Sequence, residues 1–416
     1  MADSGKLAIV LSGGGARGAY EAGVLSYVLD ELPRHLGRPI RFSIVTGTSI
    51  GGIHACFVAS TAGREGSGAR LVELWRALSL SEVYRLGIGD ALRVPLWLFG
   101  GQSVVPAGAV EVVGAALPNA ARRMPGLLDT EPLEELVAAH VDWARIHRQI
   151  EEGALDALAV TATEIATGRS VVFVDNRLGR IDGWEPDPFV IARHAKIGAS
   201  HALASAAIPI LFPAQRIRGA YYCDGGLRLN TPLLPALRLG ANRVLVVGLR
   251  HRASAADEDA RAFGRQGSYV HPMYLFGKVL NALLLDRVEW DVMQLRFQNQ
   301  VLRAGEQEFG PDYLDRLNRR VGPLRGSPLR IVESCFISPS ADIGEIAGES
   351  LAKLGPSKGM RDRLVGLTMR LAARGTGADK DLLSYLLFDG AFTEVLLELG
   401  RKDAAAAHED LLRLFS

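Results

Sequence analysis

Cysteine is scarce in this chain. Cys56, Cys223 and Cys335 are the only three in 416 residues, an odd number without a Cys-x-x-Cys pair. That excludes a disulfide framework or a cysteine zinc site and points to buried, reduced thiols. Long apolar runs are missing too: no stretch reaches the ~18 residues needed to span a bilayer. The first apolar run, Leu7 to Leu11, is too short for a signal-peptide core and leads straight into a glycine loop. The expectation is a soluble, cytoplasmic protein, at most peripheral to a membrane. Excess charge is lacking as well, with 47 basic against 46 acidic residues, so no overall field recruits nucleic acid. The nine histidines show neither His-Glu-x-x-His nor His-x-x-Glu-His spacing, which argues against a metal site. With no Gly-Lys-Ser/Thr after a glycine loop, a P-loop is excluded.

What the chain has is apolar content, 48% of its residues, enough for a large core. Leu7 to Leu11 reads as a strand, Ser12 to Gly15 as a tight loop, and Gly18 to Leu29 carries apolar residues at helical spacing. The pattern repeats at once: β-branched Ile40 to Thr46, the turn Gly47 to Gly52, and a small-residue helix through Ala62. Two such units in succession predict a parallel sheet with helices on both faces. Further strands are expected at Ala157 to Thr163, Ser170 to Val174, Ala220 to Cys223 and Arg243 to Leu249, with a helix at Arg193 to Ala206. Residues 86–128 read as an apolar, lid-like insertion over one end of the sheet, with Trp97 to Phe99 either core or a lid or interfacial patch. A linker at 251–270 precedes a mainly helical region, 271–416, broken by one strand at Arg330 to Ile337.

Three motifs carry chemistry. Gly47-x-Ser49-x-Gly51 lies between a strand and a helix, the context of a nucleophile elbow, where a helix N-terminus favours negative charge. Alone it could be a simple turn with Ser49 as helix cap. The loop Gly13, Gly14, Gly15, Ala16, Arg17, Gly18 packs unobstructed backbone N–H groups into a strand-to-helix turn, an anion site suited to a tetrahedral oxyanion. Arg17 would either strengthen that site or fix the loop by pairing with a carboxylate. The loop also satisfies Gly-x-Gly-x-x-Gly, but no acidic residue closes the second strand, which disfavours dinucleotide binding. Asp224-Gly225-Gly226 follows a strand candidate, and a carboxylate at the carboxyl edge of a parallel sheet would face the same crevice. Together these supply nucleophile, base and oxyanion donors for acyl transfer.

With these three blocks in order, the sequence resembles bacterial members of the patatin-like phospholipase family. The resemblance extends to Ser205-Ala206-Ala207-Ile208-Pro209, Phe212-Pro213, Asn230-Thr231-Pro232, Thr163 to Phe173, and a tail running from Leu383 through Ala404. It implies a three-layer α/β/α sandwich over 1–250 with a mostly parallel central sheet, and a helical C-terminal region packed on it. It further implies a Ser49–Asp224 dyad in place of a triad. Gly13, Gly14, Gly15, Arg17 and Gly18 would then line the oxyanion site, supported by Gly47, Gly51, Gly225 and Gly226. The expected activity is hydrolysis of lipid acyl esters at a membrane or micelle surface, without cofactor or metal. Homo-oligomerisation through the helical region stays open. An acyltransferase and a silent lipid-binding scaffold are the rival readings.

Overall fold

The structure is a computed structural model that describes residues 5–85, 126, 128–181, 184, 189–251, 288–325, 327–353 and 380–416. Nearly all of the insertion read at 86–128, Trp97 to Phe99 included, lies outside the described residues. So do residues 252–270 of the linker, together with 271–287 and 354–379 of the region read as mainly helical.

A nine-stranded sheet organises the described chain. In chain order its strands are β1 (Leu7–Leu11), β2 (Ile44–Thr48), β3 (Ala157–Glu164), β4 (Ser170–Asn176), β5 (Val190–His194), β6 (Gln215–Ile217), β7 (Ala220–Asp224), β8 (Arg243–Val247) and β9 (Glu333–Ile337). In space they run β5-β4-β3-β2-β1-β8-β9, with β7 on β3 and β6 on β7. The central pairings β3–β2–β1–β8–β9 are all parallel. Continuous apolar runs such as Leu-Ala-Ile-Val-Leu in β1 suit strands covered on both faces, and all five β1 residues are buried.

Alternate residues of β1 enter two cores. Leu7, Ile9 and Leu11 join the larger one with the helices α1 (Gly18–Ser26), α2 (Ile50–Thr61) and α3 (Ser67–Ala77). Ala8 and Val10 face a second core with Val244, Val246 and the Val288, Val292, Leu295 side of a later helix. The same larger core takes α4 (Glu131–His140), α5 (Ala199–Ser205) and, beyond α6 (Val288–Phe309), the C-terminal α7 (Lys380–Leu386) and α8 (Gly390–Ala406). The architecture is thus a mostly parallel sheet between helical layers, with a helical C-terminal region that also contributes the edge strand β9.

Two local readings are corrected. Arg193 and His194, where the expected helix was to start, close the strand β5, which was not expected; the helix begins at Ala199, after Gly198. β7 is antiparallel to β3, so Asp224 does not sit at a parallel strand's carboxyl end. Instead β2 and β7 share one edge of β3 and run toward each other, Thr48 opposite Thr161 and Asp224 opposite the next residue, Ala162. The two strand ends meet head to head, and that collision brings the nucleophile motif and the aspartate together.

Candidate active site

Ser49 is the residue between β2 and α2, at φ 56° and ψ −128°, a conformation that a side chain disfavours and that costs on the order of 1–3 kcal/mol. The flanking glycines permit the turn. A β-carbon on Gly47 would lie 2.0 Å from the Gly51 carbonyl oxygen, and one on Gly51 would lie 2.4 Å from that of Leu11. The elbow is also held from behind: the Ser49 N–H donates to Ser205 Oγ at 2.8 Å, and that hydroxyl donates to the Thr161 carbonyl at 2.6 Å. Ser205 on α5 therefore ties the elbow to β3.

The Ser49 hydroxyl donates to Asp224 Oδ2 at 2.6 Å. Asp224 is fully buried, and its other oxygen accepts the Gly226 N–H at 2.7 Å, inside the short turn Gly225–Leu227. Its own backbone is pinned by Ala207 and Thr163. Burial pushes the Asp224 carboxyl up from 3.8 to about 7, against the opposing pull of the hydrogen bonds from Ser49 and Gly226. A carboxylate of that basicity can accept a proton near neutral pH.

The glycine loop closes the site on its other side. Gly13 is clamped twice by Asn230: its N–H donates to the Asn230 carbonyl at 3.1 Å, and the Asn230 amide donates back to the Gly13 carbonyl at 3.0 Å. The N–H groups of Gly14 and Gly15 meet no acceptor among the described residues. Gly15–Arg17 forms a single tight turn that runs directly into α1 at Gly18. Arg17 is 3% exposed and its Nε donates to Ser384 Oγ at 2.7 Å.

Behind the loop lies a buried polar chain that joins three helices. Glu21 on α1 accepts the Ser12 N–H at 3.0 Å with one oxygen and contacts His54 Nδ1 on α2 at 2.6 Å with the other. Trp75 on α3 donates its indole N–H to His54 Nε2 at 2.9 Å. An indole only donates, so His54 Nε2 accepts and the imidazole's single proton sits on Nδ1, toward Glu21. Burial raises the Glu21 carboxyl above the usual range, and the bonds from His54 and Ser12 offset part of that rise. His54 is thus engaged at both nitrogens, and no described histidine hydrogen-bonds to Ser49 or Asp224.

Beside Ser49 opens an apolar cavity walled by Ile53, Phe57, Leu74, Trp75, Phe212 and Phe388. Val83 and Leu133 also line it, and the backbones of Arg85 and Asp129 pair in an isolated antiparallel bridge. Among the described residues no cluster of three metal-ligating side chains occurs, and no helix is long and apolar enough to cross a membrane.

The patatin-like phospholipase family profile matches residues 9–237, more than half of the chain and all three motifs. The chain belongs to the patatin-like phospholipase family. Its fold is the patatin-like α/β/α sandwich, and the family acts on lipid substrates as a hydrolase. No curated protein matches the chain. Among solved structures it is similar to VipD from Legionella pneumophila, 15% identical over 95% of this chain and 67% of that one with a TM-score of 0.35. It is also similar to ExoU in its complex with SpcU from Pseudomonas aeruginosa, 17% identical over 92% and 74% of the two chains with a TM-score of 0.30.

Some members of this patatin-like site escaped sequence reasoning. Ser205 and Asn230 lie in blocks noted only for their resemblance to the family. Glu21 left a readable trace, an acidic residue amid the apolar positions of α1. Tyr385 and Phe388, which line the cavity, lie in the tail that was likewise noted only for that resemblance.

Proposed function

We propose that this patatin-like protein is a phospholipase A or lysophospholipase type acyl-ester hydrolase that works through a Ser49–Asp224 dyad and an acyl-enzyme. The observation that carries the reading is the direct 2.6 Å hydrogen bond from the Ser49 hydroxyl to a buried carboxylate. Asp224 takes the proton as Ser49 Oγ attacks the ester carbonyl, then returns it to the leaving alcohol. The negative charge on the tetrahedral oxygen is met by the N–H groups of Gly14 and Gly15, since that of Gly13 is already given to Asn230. The N-terminus of α2 favours the developing charge around Ser49. One acyl chain lies in the cavity between α2, α3 and α4. Water then attacks the acyl-enzyme with Asp224 again as base, releasing fatty acid and free serine.

A fluorophosphonate probe is expected to label the wild-type chain at Ser49, with Ser49→Ala neither labelled nor active on p-nitrophenyl butyrate or lysophospholipid. Labelling elsewhere, or substantial turnover by folded Ser49→Ala, would remove Ser49 as nucleophile.

A further inference from the structure

The family profile ends at residue 237, yet the glycine loop is buried beneath a segment far beyond it. Arg17 directs its Nε to Ser384, which is fully buried, and its guanidinium carbon stands 4.5 Å from the centre of the Tyr385 ring. The backbones touch as well. Gly15 adopts φ +55°, and a β-carbon there would sit 2.3 Å from the Tyr385 carbonyl oxygen. Tyr385, 1% exposed, also lines the cavity beside Ser49. A buried guanidinium is stable only where donors and charge are matched, so Arg17 is locked to its seat. Glycine-rich backbone has little rigidity of its own and takes its shape from what holds it.

We propose that Ser384 and Tyr385 are positioning residues of the active site, which seat Arg17 and back Gly15 so that the Gly14 and Gly15 N–H groups stand where the oxyanion forms. Arg17 acts through this seat and not by reaching the substrate. The inference rests on the hydrolase reading above. Oxyanion donors are effective only at hydrogen-bond distance from the charge that develops, and displacement of about 1 Å costs on the order of a hundredfold in rate.

The test is steady-state turnover of p-nitrophenyl butyrate by full-length wild type, Arg17→Ala, Tyr385→Ala, Tyr385→Phe and the Arg17→Ala/Tyr385→Ala double variant, each checked for its fold by circular dichroism. Both alanine variants are expected to lose at least about tenfold in kcat with KM within about threefold. Tyr385→Phe, which keeps the ring, should restore wild-type kcat. The pH dependence should keep its midpoint, because Asp224 is untouched. The double variant should be no slower than the slower single one, as both changes release the same loop. Losses that multiply, a moved pH midpoint, or folded alanine variants with kcat within twofold of wild type would overturn the proposal. If Tyr385→Ala does not fold, the cycle is run with Ser384→Ala and Arg17→Lys under the same criteria. A wild-type protein that neither turns over ester nor accepts fluorophosphonate at Ser49 would instead overturn the hydrolase reading, and this inference with it.

Discussion

Two buried carboxyl groups, about equally hidden from water, serve different ends because of what faces them. Asp224 faces the Ser49 hydroxyl and a backbone N–H and carries its pKa up to about 7 through burial. Ester hydrolysis should therefore need Asp224 ionised, and kcat/KM is expected to fall about tenfold per pH unit below a midpoint near 7 and to level off above it. A flat profile from pH 5 to 8 would exclude Asp224 as base. The same shift has a stability consequence. Because the folded pKa lies above the free value of 3.8, the folded state holds its proton more tightly, so the Asp224 contribution to stability is greatest below pH 4 and is lost as pH rises through 7. Asp224→Asn should be inactive yet more stable than wild type at pH 8, by up to roughly 4 kcal/mol, with the difference vanishing near pH 4. Thermal melts at the two pH values check this. Glu21, by contrast, faces a histidine that is a structural partner. His54→Ala would strand a buried carboxylate and is expected to cost about 3–5 kcal/mol, whereas His54→Asn, which can offer an N–H in place of Nδ1, should keep kcat within about tenfold. Loss of turnover by a folded His54→Asn would revive histidine as the base.

At the scale of elements, the site is a product of strand ends that meet and helices that fit closely. β2 and β7 abut along one edge of β3, which sets the Ser49–Asp224 distance by sheet register and not by loop flexibility. Placement by register is more exact than placement by a loop. Val83 and the α4 residues Leu133 and Val137 line the cavity beside Ser49, while α8 packs along α1 through Phe392, Leu396 and Leu397, all buried. Leu396→Ala should lower stability by about 2–5 kcal/mol through lost burial and a residual cavity. Its effect on kcat at 25 °C should be slight, since Leu396 touches neither the loop nor the cavity. Denaturant melts with an unchanged m-value, read beside turnover, would separate the two. The missed strand at Val190 to His194 belongs to this scale too. Those residues are half-exposed at the sheet edge, so alternation between buried and exposed faces is weak and the pattern does not declare a strand.

For the whole molecule, the boundary suggested by the family match is not a boundary of the core. β9 extends the sheet beyond β8, and Phe392, Leu396, Leu411, Leu414 and Phe415 join the same hydrophobic cluster as α1 and α2. Each such side chain contributes about 1.5–3 kcal/mol of burial, so the five together are comparable with the typical margin of about 5–15 kcal/mol, before the lost pairing of β9 is added. A fragment comprising residues 1–251 is therefore expected to show no cooperative thermal transition, whereas the full chain unfolds in one. A fragment that melted cooperatively and hydrolysed ester at the full rate would make the C-terminal region an accessory.

The sequence by itself determined the strand–loop–helix units, the turn at Ser49 and the glycine loop, and it marked Asp224 as a candidate. Each of these is local: it depends on residues a few positions apart whose backbone needs, a sharp turn or an unobstructed N–H, show in their types. The head-to-head meeting of β2 and β7, the double clamp of Asn230 on Gly13, the Glu21–His54–Trp75 chain and the seat of Arg17 on Ser384 and Tyr385 were decided only by the tertiary structure. They join positions from 21 to more than 360 residues apart, a range over which periodicity carries no signal. Burial enters last: an aspartate reads the same in any sequence, and only its burial in the fold lifts the Asp224 carboxyl from 3.8 to about 7.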